Sequence, residues 1–145
     1  MRNNKICVIG LGYVGLPLAF NLSKHFELIG FDSSKKRILD LKDNVDQTNE
    51  IKTSELKKAK ISFTYEAKDI QECNIYIVTV PTPIDSKNNP QITSLISVTK
   101  MIASYLKNND LIIYESTVFP GCTEEILIPL IEKISKKKLN KNFNV

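Results

Sequence analysis

The sequence lacks any long apolar run. No stretch approaches the roughly 20 consecutive apolar residues that a membrane-spanning helix requires, so no membrane span is expected. Residues 1–5 lead at once into a short apolar segment and a glycine-rich turn, and this order differs from the regions of a signal peptide. We therefore expect no signal peptide.

Cysteine and histidine are scarce. The three cysteines, Cys7, Cys73 and Cys122, are an odd number without CxxC spacing, which favours a reducing, cytoplasmic compartment and indicates no metal site. Cys7 is expected in a core strand. Cys122 is expected to open a helix, where a thiol pKa can be lowered, although a structural role is favoured. His25, the one histidine, is expected at the end of the first helix, so no catalytic role is predicted.

A strong excess of charge is also absent. The net charge is +4, from 20 basic and 16 acidic residues, and the single dense run is Lys136, Lys137 and Lys138. Cations at such a place are typical of a helix C-terminus, so no nucleic-acid partner is predicted. With 145 residues, of which 42% are apolar, the chain has the size and composition of one globular domain.

Short apolar runs alternate with longer amphipathic stretches along the chain. The runs that predict strands are residues 5–9, 27–31, 61–64, 74–80 and 110–115, and residues 142–145 resemble the start of a sixth. Helices are predicted over residues 16–22, after Ser33 or Ser34, around 55–58, and over 93–106 and 123–136. This alternation predicts an α/β fold, in which a doubly wound parallel sheet lies within three α/β/α layers.

A GxGxxG pattern follows the first predicted strand and opens the first predicted helix. In that setting the first glycine makes a tight turn, the second lets a pyrophosphate approach the backbone, and the third lets helix and strand pack closely. The helix N-terminus then offers free N–H groups to the phosphates. The alternative is that the glycines serve ordinary turns. We predict instead a Rossmann-type fold whose dinucleotide-binding turn consists of Gly10, Leu11, Gly12, Tyr13, Val14 and Gly15.

Asp32 ends the second predicted strand, 22 residues after Gly10. A carboxylate at that place can accept hydrogen bonds from the adenosine ribose and repels a 2′-phosphate, so NAD is predicted as the cofactor in preference to NADP. Lys35, Lys36 and Arg37 are a competing signal, because cations at this end could bind that phosphate. A further alternative is that Asp32 only caps a helix.

Two threonines follow strands whose carboxyl ends are expected beside the glycine turn. Thr82 lies between Pro81 and Pro83 after the fourth strand, and Thr117 follows the fifth. Ligands of open parallel sheets bind at that edge, so each hydroxyl could face the cofactor. From the residues alone, a role as a strand-end turn residue is an equal alternative.

Three segments together resemble a known family. Residues 9–17, 80–83 and 115–125 are similar to the corresponding parts of the UDP-glucose/GDP-mannose dehydrogenase family, and the similarity covers the whole chain. The nearest branch is that of the bacterial UDP-N-acetylhexosamine 6-dehydrogenases of polysaccharide biosynthesis, including the Vi-antigen type. The three segments in this order are far more specific than any one of them.

The resemblance implies roles for single residues. Arg37 matches a basic position beside the adenosine, and Thr117 matches a catalytic threonine near the reacting centre that helps to position a water. The cofactor contacts that the resemblance implies are Val14, Asp32, Arg37, Thr82 and Thr117. Cys122 does not match the nucleophilic cysteine of the family.

The resemblance also implies a domain organisation and a reaction. Family members oxidise the C6 alcohol of a UDP-sugar, here a UDP-N-acetylhexosamine, to the uronic acid with two NAD. Their nucleophilic cysteine lies in a later domain. Residues 1–145 are therefore expected to be an NAD-binding domain, truncated before the central dimerisation helix and the C-terminal sugar-binding domain, that binds NAD without turnover. The full-length protein is expected to be a homodimer or a larger oligomer.

Two other functions stay open at this point. The chain could be a free-standing, non-catalytic NAD-binding module, or the Rossmann half of another NAD-dependent enzyme such as a hydroxyacid or acyl-CoA dehydrogenase. One departure from the family is visible. Residues 90–94 read Pro-Gln-Ile-Thr-Ser where many relatives have Pro-Asp-Leu-Thr-Pro, and loss of the aspartate is expected to weaken the N-cap of the next helix.

Overall fold

A computed structural model describes residues 4–145 and contains one sheet of six parallel strands. Their order across the sheet is β3-β2-β1-β4-β5-β6. This arrangement confirms the predicted doubly wound Rossmann-type fold, because the chain winds outward from β1 in both directions. The strands are β1 (Lys5–Ile9), β2 (Glu27–Phe31), β3 (Ile61–Thr64), β4 (Ile75–Val78), β5 (Asp110–Tyr114) and β6 (Phe143–Asn144).

The helices form two layers, one on each face of the sheet. One apolar cluster joins the inner sides of α1, α2 and α3 to the sheet, and the other joins those of α4 and α5 to the opposite face. A 3₁₀ helix over Ala67–Glu72 and a π-helical segment over Cys122–Leu127 complete the secondary structure. The α-helices are α1 (Gly15–Leu22), α2 (Lys35–Lys42), α3 (Thr53–Leu56), α4 (Thr93–Tyr105) and α5 (Ile128–Ser135).

The central strand β1 is buried on both faces. Cys7 and Ile9 belong to the cluster under α4 and α5, whereas Ile6 and Val8 belong to the cluster under α1 and α2. A strand covered on both faces needs no polar alternation, which explains its unbroken apolar sequence. The same position places the carboxyl end of β1 between the ends of β2 and β4.

The ends of several elements differ from the sequence prediction. Strand β4 stops at Val78, two residues before the predicted end, although the N–H of Thr79 still donates to the carbonyl of Ile9 at 2.9 Å. The last helix begins as a π-helix after Gly121, and the 3₁₀ helix was not predicted. Ser34 does cap α2, accepting a hydrogen bond from the Arg37 N–H. Ile92 occupies the N-cap of α4 without a side-chain hydrogen bond, and the effect of the missing aspartate stays a prediction.

Within the described residues, no helix has the length and apolar character required to cross a membrane. The expectation that no signal peptide is present concerns residues 1–5, of which residues 1–3 lie outside the described part of the chain. His25 is exposed just beyond the end of α1, as predicted.

Candidate functional site

A cleft of about 930 Å³ opens at the carboxyl ends of β1 and β4. This is the point where the strand order reverses, and open α/β sheets bind their ligands there. The volume is within the usual range for small-molecule and cofactor sites. Among the residues that line the cleft are Gly10, Gly12, Tyr13, Val14, Asp32, Thr79, Thr82, Ser94, Ser97, Met101, Glu115 and Thr117.

Each glycine of the turn has a different environment. Gly10 has a φ of +96°, and its N–H donates to the carbonyl of Phe31 at 2.9 Å, which extends the β1–β2 pairing to the start of the turn. A Cβ on Gly15 would overlap the carbonyl oxygen of Gly10, so this glycine permits close packing of α1 on the turn. A Cβ on Gly12 would meet no atom within 4 Å. Gly12 therefore faces open space in the cleft, where a ligand can approach its backbone.

The backbone of this turn offers free donors. Among the described residues, the N–H groups of Gly12, Tyr13 and Val14 make no hydrogen bond within the protein. The side chains of Tyr13 and Val14 are 70% and 60% exposed, so neither covers the turn. Three free amides at the start of α1 suit a phosphate, which accepts hydrogen bonds and is stabilised by the positive end of the helix dipole.

Both backbone polar groups of Leu11 make hydrogen bonds with side chains. Its N–H donates to Oδ2 of Asp32 at 2.9 Å, and its carbonyl accepts a hydrogen bond from Nε of Arg37, also at 2.9 Å. Its side chain is fully buried between the sheet and the helices. Leu11 therefore fixes the turn from inside and does not line the cleft.

The Asp32 carboxylate lines the cleft at the carboxyl end of β2. Its Oδ1 accepts from the Ser34 N–H and its Oδ2 from the Leu11 N–H, both at 2.9 Å. Asp32 does not cap α2, because the N-cap of that helix is Ser34; the alternative of a capping aspartate is therefore wrong. Each carboxylate oxygen keeps further acceptor capacity, which the two hydroxyls of a ribose could use.

Two of the three cations near Asp32 make contacts away from the cleft. Nη2 of Arg37 pairs with Oδ1 of Asp46 at 2.9 Å, and Arg37 does not line the cleft. Nη1 of Arg37 is buried without a hydrogen-bond partner among residues 4–145. The contact of Arg37 with an adenosine stays a prediction. The ammonium group of Lys35 lies 5.5 Å from the ring centre of Tyr65.

Hydrogen bonds join the loops after β4 and β5. Thr82 Oγ1 donates to the carbonyl of Thr117 at 2.7 Å, and Ser116 Oγ donates to the carbonyl of Val80 at 2.7 Å. Both threonines line the cleft, opposite the Asp32 end. The structure therefore brings together the two threonines that the sequence placed on separate strands.

Sequence reasoning missed two parts of the cleft. Thr79 donates from Oγ1 to the carbonyl of Gly10 at 2.7 Å, which braces the glycine turn from β4. One side of α4 forms a wall, and a helical spacing of three, four and seven residues was the signal that could have identified it. That wall consists of Ser94, Ser97, Val98 and Met101.

None of the three thiols lines the cleft. Cys7, Cys73 and Cys122 are all fully buried, and all three belong to the core cluster under α4 and α5. Burial, with a smaller contribution from the Glu124 charge, raises the pKa of Cys122, so the alternative of a lowered pKa is wrong. Within the described residues, no cluster of histidine, cysteine, aspartate and glutamate could hold a metal ion.

Comparison with known proteins gives a consistent result. A family model for the UDP-glucose/GDP-mannose dehydrogenase family, NAD binding domain, matches residues 4–145. The chain is 46% identical over 144 residues to a UDP-N-acetyl-D-glucosamine 6-dehydrogenase of Pseudomonas aeruginosa, covering 99% of the chain and 34% of that protein. For the enzyme of the same name from Salmonella typhi the identity is 47% over 142 residues, covering 97% and 33%.

A solved structure has the same fold. The structure of a UDP-D-ManNAc dehydrogenase from Pyrococcus horikoshii superposes with a TM-score of 0.89 at 28% identity, covering 96% of the chain and 34% of that protein. The chain spans about a third of the length of the curated relatives that it matches.

Proposed function

The chain belongs to the UDP-glucose/GDP-mannose dehydrogenase family as an NAD-binding domain, and from this premise we propose that it serves an enzyme that oxidises a UDP-N-acetylhexosamine at C6. The relatives from Pseudomonas aeruginosa and Salmonella typhi, at 46% and 47% identity, are UDP-N-acetyl-D-glucosamine 6-dehydrogenases, which supports this substrate class. The match over residues 4–145 speaks against the Rossmann half of a hydroxyacid or acyl-CoA dehydrogenase.

The proposed reaction has two hydride transfers. The C6 alcohol gives one hydride to NAD and becomes an aldehyde, and the hydrated or covalently held aldehyde gives a second hydride to another NAD. A water supplies the second oxygen of the carboxylate, and the remaining hydrogens leave as protons. The residues of this chain then have to bind NAD, orient it and direct its reactive end toward the sugar.

The glycine turn is the observation that carries the proposal. Gly12, Tyr13 and Val14 line the cleft, and their free N–H groups would bind the pyrophosphate of NAD. Asp32 would accept the adenosine ribose hydroxyls on one side of the turn. The nicotinamide end would then lie on the other side, beside Thr82 and Thr117, where the Thr117 hydroxyl would help to position a water.

The positions of the three thiols support the proposal that NAD binding and the covalent step belong to different parts of the enzyme. Oxidation of an alcohol to an acid in two steps is served by a nucleophile that holds the aldehyde, and a thiolate suits that role. Cys7, Cys73 and Cys122 are buried away from the cleft. We propose that the covalent chemistry and the sugar site belong to the part of the relatives' length that this chain does not span.

Titration and turnover test this proposal. NADH fluorescence should show that the 145-residue chain binds NADH in a saturable manner. At saturating NAD with UDP-N-acetylglucosamine, UDP-N-acetylgalactosamine or UDP-glucose, the absorbance of NADH should not rise. A Cys122→Ser variant should behave like the wild type in both assays. Absence of NADH binding would contradict the cofactor role, and steady NADH production that Cys122→Ser abolishes would show that the chemistry lies within this chain.

A further inference from the structure

A buried ion pair lies behind the glycine turn, outside the cleft. Nη2 of Arg37 and Oδ1 of Asp46 are 2.9 Å apart, and their side chains are only 11% and 1% exposed. The other two ion pairs among the described residues, Lys5–Glu27 and Lys138–Glu132, are much more exposed. Because removing both charges from water is costly, a buried pair often adds little net stability. The position of this pair therefore suggests a role in fixing geometry.

Asp46 is a rigid anchor for Arg37. Its Oδ1 accepts from the N–H and the hydroxyl of Thr48, and its Oδ2 accepts from the N–H groups of Glu50 and Ile51, at 2.7 to 3.0 Å. Burial alone would raise the pKa of Asp46, but the hydrogen bonds from Thr48, Ile51 and Arg37 outweigh it and bring the pKa to about 2. Asp46 therefore stays charged and fixed in place at neutral pH.

Arg37 connects Asp46 to the glycine turn. Its Nε donates to the carbonyl of Leu11 at 2.9 Å, while its Nη2 is held by Asp46. The Leu11 carbonyl and the Gly12 N–H belong to one planar trans peptide unit, so they point in opposite directions. Because Arg37 holds the Leu11 carbonyl, the Gly12 N–H points away from Arg37. Gly12 lines the cleft, so this direction suits a ligand there.

We propose that Asp46 is a positioning residue of the cofactor site, which holds Arg37 on the Leu11 carbonyl and thereby directs the Gly12 N–H at the cofactor pyrophosphate. A guanidinium on the carbonyl also polarises the peptide, which strengthens its N–H as a donor. The inference rests on the proposed binding of NAD in this cleft. It gives Arg37 a task in the turn that is separate from any contact with the adenosine.

The test compares ligands with and without a pyrophosphate. NADH fluorescence titrations, with displacement by ADP-ribose and by adenosine, are made on wild type, Asp46→Asn, Arg37→Met and the double variant. Asp85→Asn is the matched control, because Asp85 also accepts several hydrogen bonds but lies outside the cleft. Asp46→Asn is expected to weaken NADH and ADP-ribose about tenfold, as loss of a charge-assisted contact does, and to leave adenosine within about twofold.

The double variant separates positioning from general destabilisation. If Asp46 acts through Arg37, Asp46→Asn should weaken ADP-ribose by less than about twofold further once Arg37 is methionine. A merely structural role of Asp46 would cost the same affinity in both backgrounds. Equal losses in both backgrounds, an equal loss of adenosine affinity, or wild-type ADP-ribose affinity in Asp46→Asn would each overturn the proposal.

A second variant covers the case in which Asp46→Asn does not fold. Arg37→Lys keeps a charge beside Asp46, but a single ammonium group lacks the fork that spans the carboxylate and the Leu11 carbonyl. It should weaken ADP-ribose about as much as Asp46→Asn does, and unchanged ADP-ribose affinity would contradict the inference. If the wild-type chain binds no NADH, the proposed function fails and this inference fails with it. Normal wild-type binding with unaffected variants overturns this inference alone.

Discussion

Thr82 donates a hydrogen bond from its Oγ1 to the backbone carbonyl of Thr117 at 2.7 Å. The bond crosses from the loop after β4 to the loop after β5, and both residues line the cleft. It thus fixes the distance between two loops that the sheet itself no longer holds, because β4 ends at Val78 and β5 at Tyr114.

Loss of this bond should weaken cofactor binding without unfolding the domain. Thr82→Val keeps the shape of the side chain but removes the donor. We expect a decrease of about threefold to tenfold in NADH affinity, the usual worth of one hydrogen bond, with an unchanged circular dichroism spectrum. Thr82→Ser retains the hydroxyl and should restore binding. If Thr82→Val binds like the wild type, the bond does not contribute to the site.

Side chains added at Gly12 and at Gly15 should have different effects on stability and on NADH binding. Gly12→Val places its side chain in open cleft space, so the domain should fold with a normal melting temperature and lose NADH binding. Gly15→Ala drives its Cβ into the Gly10 carbonyl and should lower the melting temperature markedly. Thermal melts and NADH titrations measure both effects. Normal NADH binding by a folded Gly12→Val variant would show that the turn is not the pyrophosphate site.

Asp32 should determine the choice between NAD and NADP. Calorimetry of the wild-type chain is expected to show clearly tighter binding of NAD than of NADP, because the carboxylate repels a 2′-phosphate. Asp32→Ala should weaken NAD and reduce this discrimination. It should also reduce stability, because the N–H groups of Leu11 and Ser34 lose their acceptor. Equal or tighter binding of NADP by the wild type would be evidence against the assignment.

Asp46 should make the stability of the domain depend on pH. Its pKa falls from the ordinary 3.8 to about 2 in the folded protein, so the charged form stabilises the fold. This contribution, about 2 kcal/mol, is complete above about pH 4 and is lost as the pH falls toward 2. Urea unfolding of wild type and Asp46→Asn should therefore differ more at about pH 7 than at about pH 3. The same difference at both values would contradict the assigned shift.

The sequence was sufficient for the sheet because each strand is a compact apolar run with its own boundaries. Apolar periodicity identified β1 to β5 and the start of β6, and the glycine spacing located the turn. It could not show that the Thr79 hydroxyl, just after β4, braces Gly10, since that depends on a contact between residues 69 positions apart. The α4 wall was missed for a similar reason, because the helical spacing of its residues marks one side of α4 but does not show that this side faces the cleft.

For the charged residue Arg37, too, the sequence alone could not show which groups the side chain contacts. Beside Asp32 in the sequence, it is one of three cations that could bind a phosphate. In the structure its guanidinium is engaged by Leu11 and Asp46, and the Asp46 loop that holds it follows α2 in the chain. Local sequence gives the charge of a residue, whereas its availability to a ligand depends on a partner that only the fold brings near.

The central position of β1 has a consequence for how the chain is made. Ile6 pairs with Leu28 on one side and with Ile75 on the other, so the first pairing is possible early in synthesis and the second only after the middle of the chain has left the ribosome. The cleft opens at the carboxyl ends of this second strand pair, β1 and β4. A nascent chain therefore carries all the residues of the glycine turn long before it has a place for a dinucleotide, and such distant pairings are the slow part of building a parallel sheet. Cellular NAD can thus act as a ligand of the finished domain, but it cannot guide the first stages of folding.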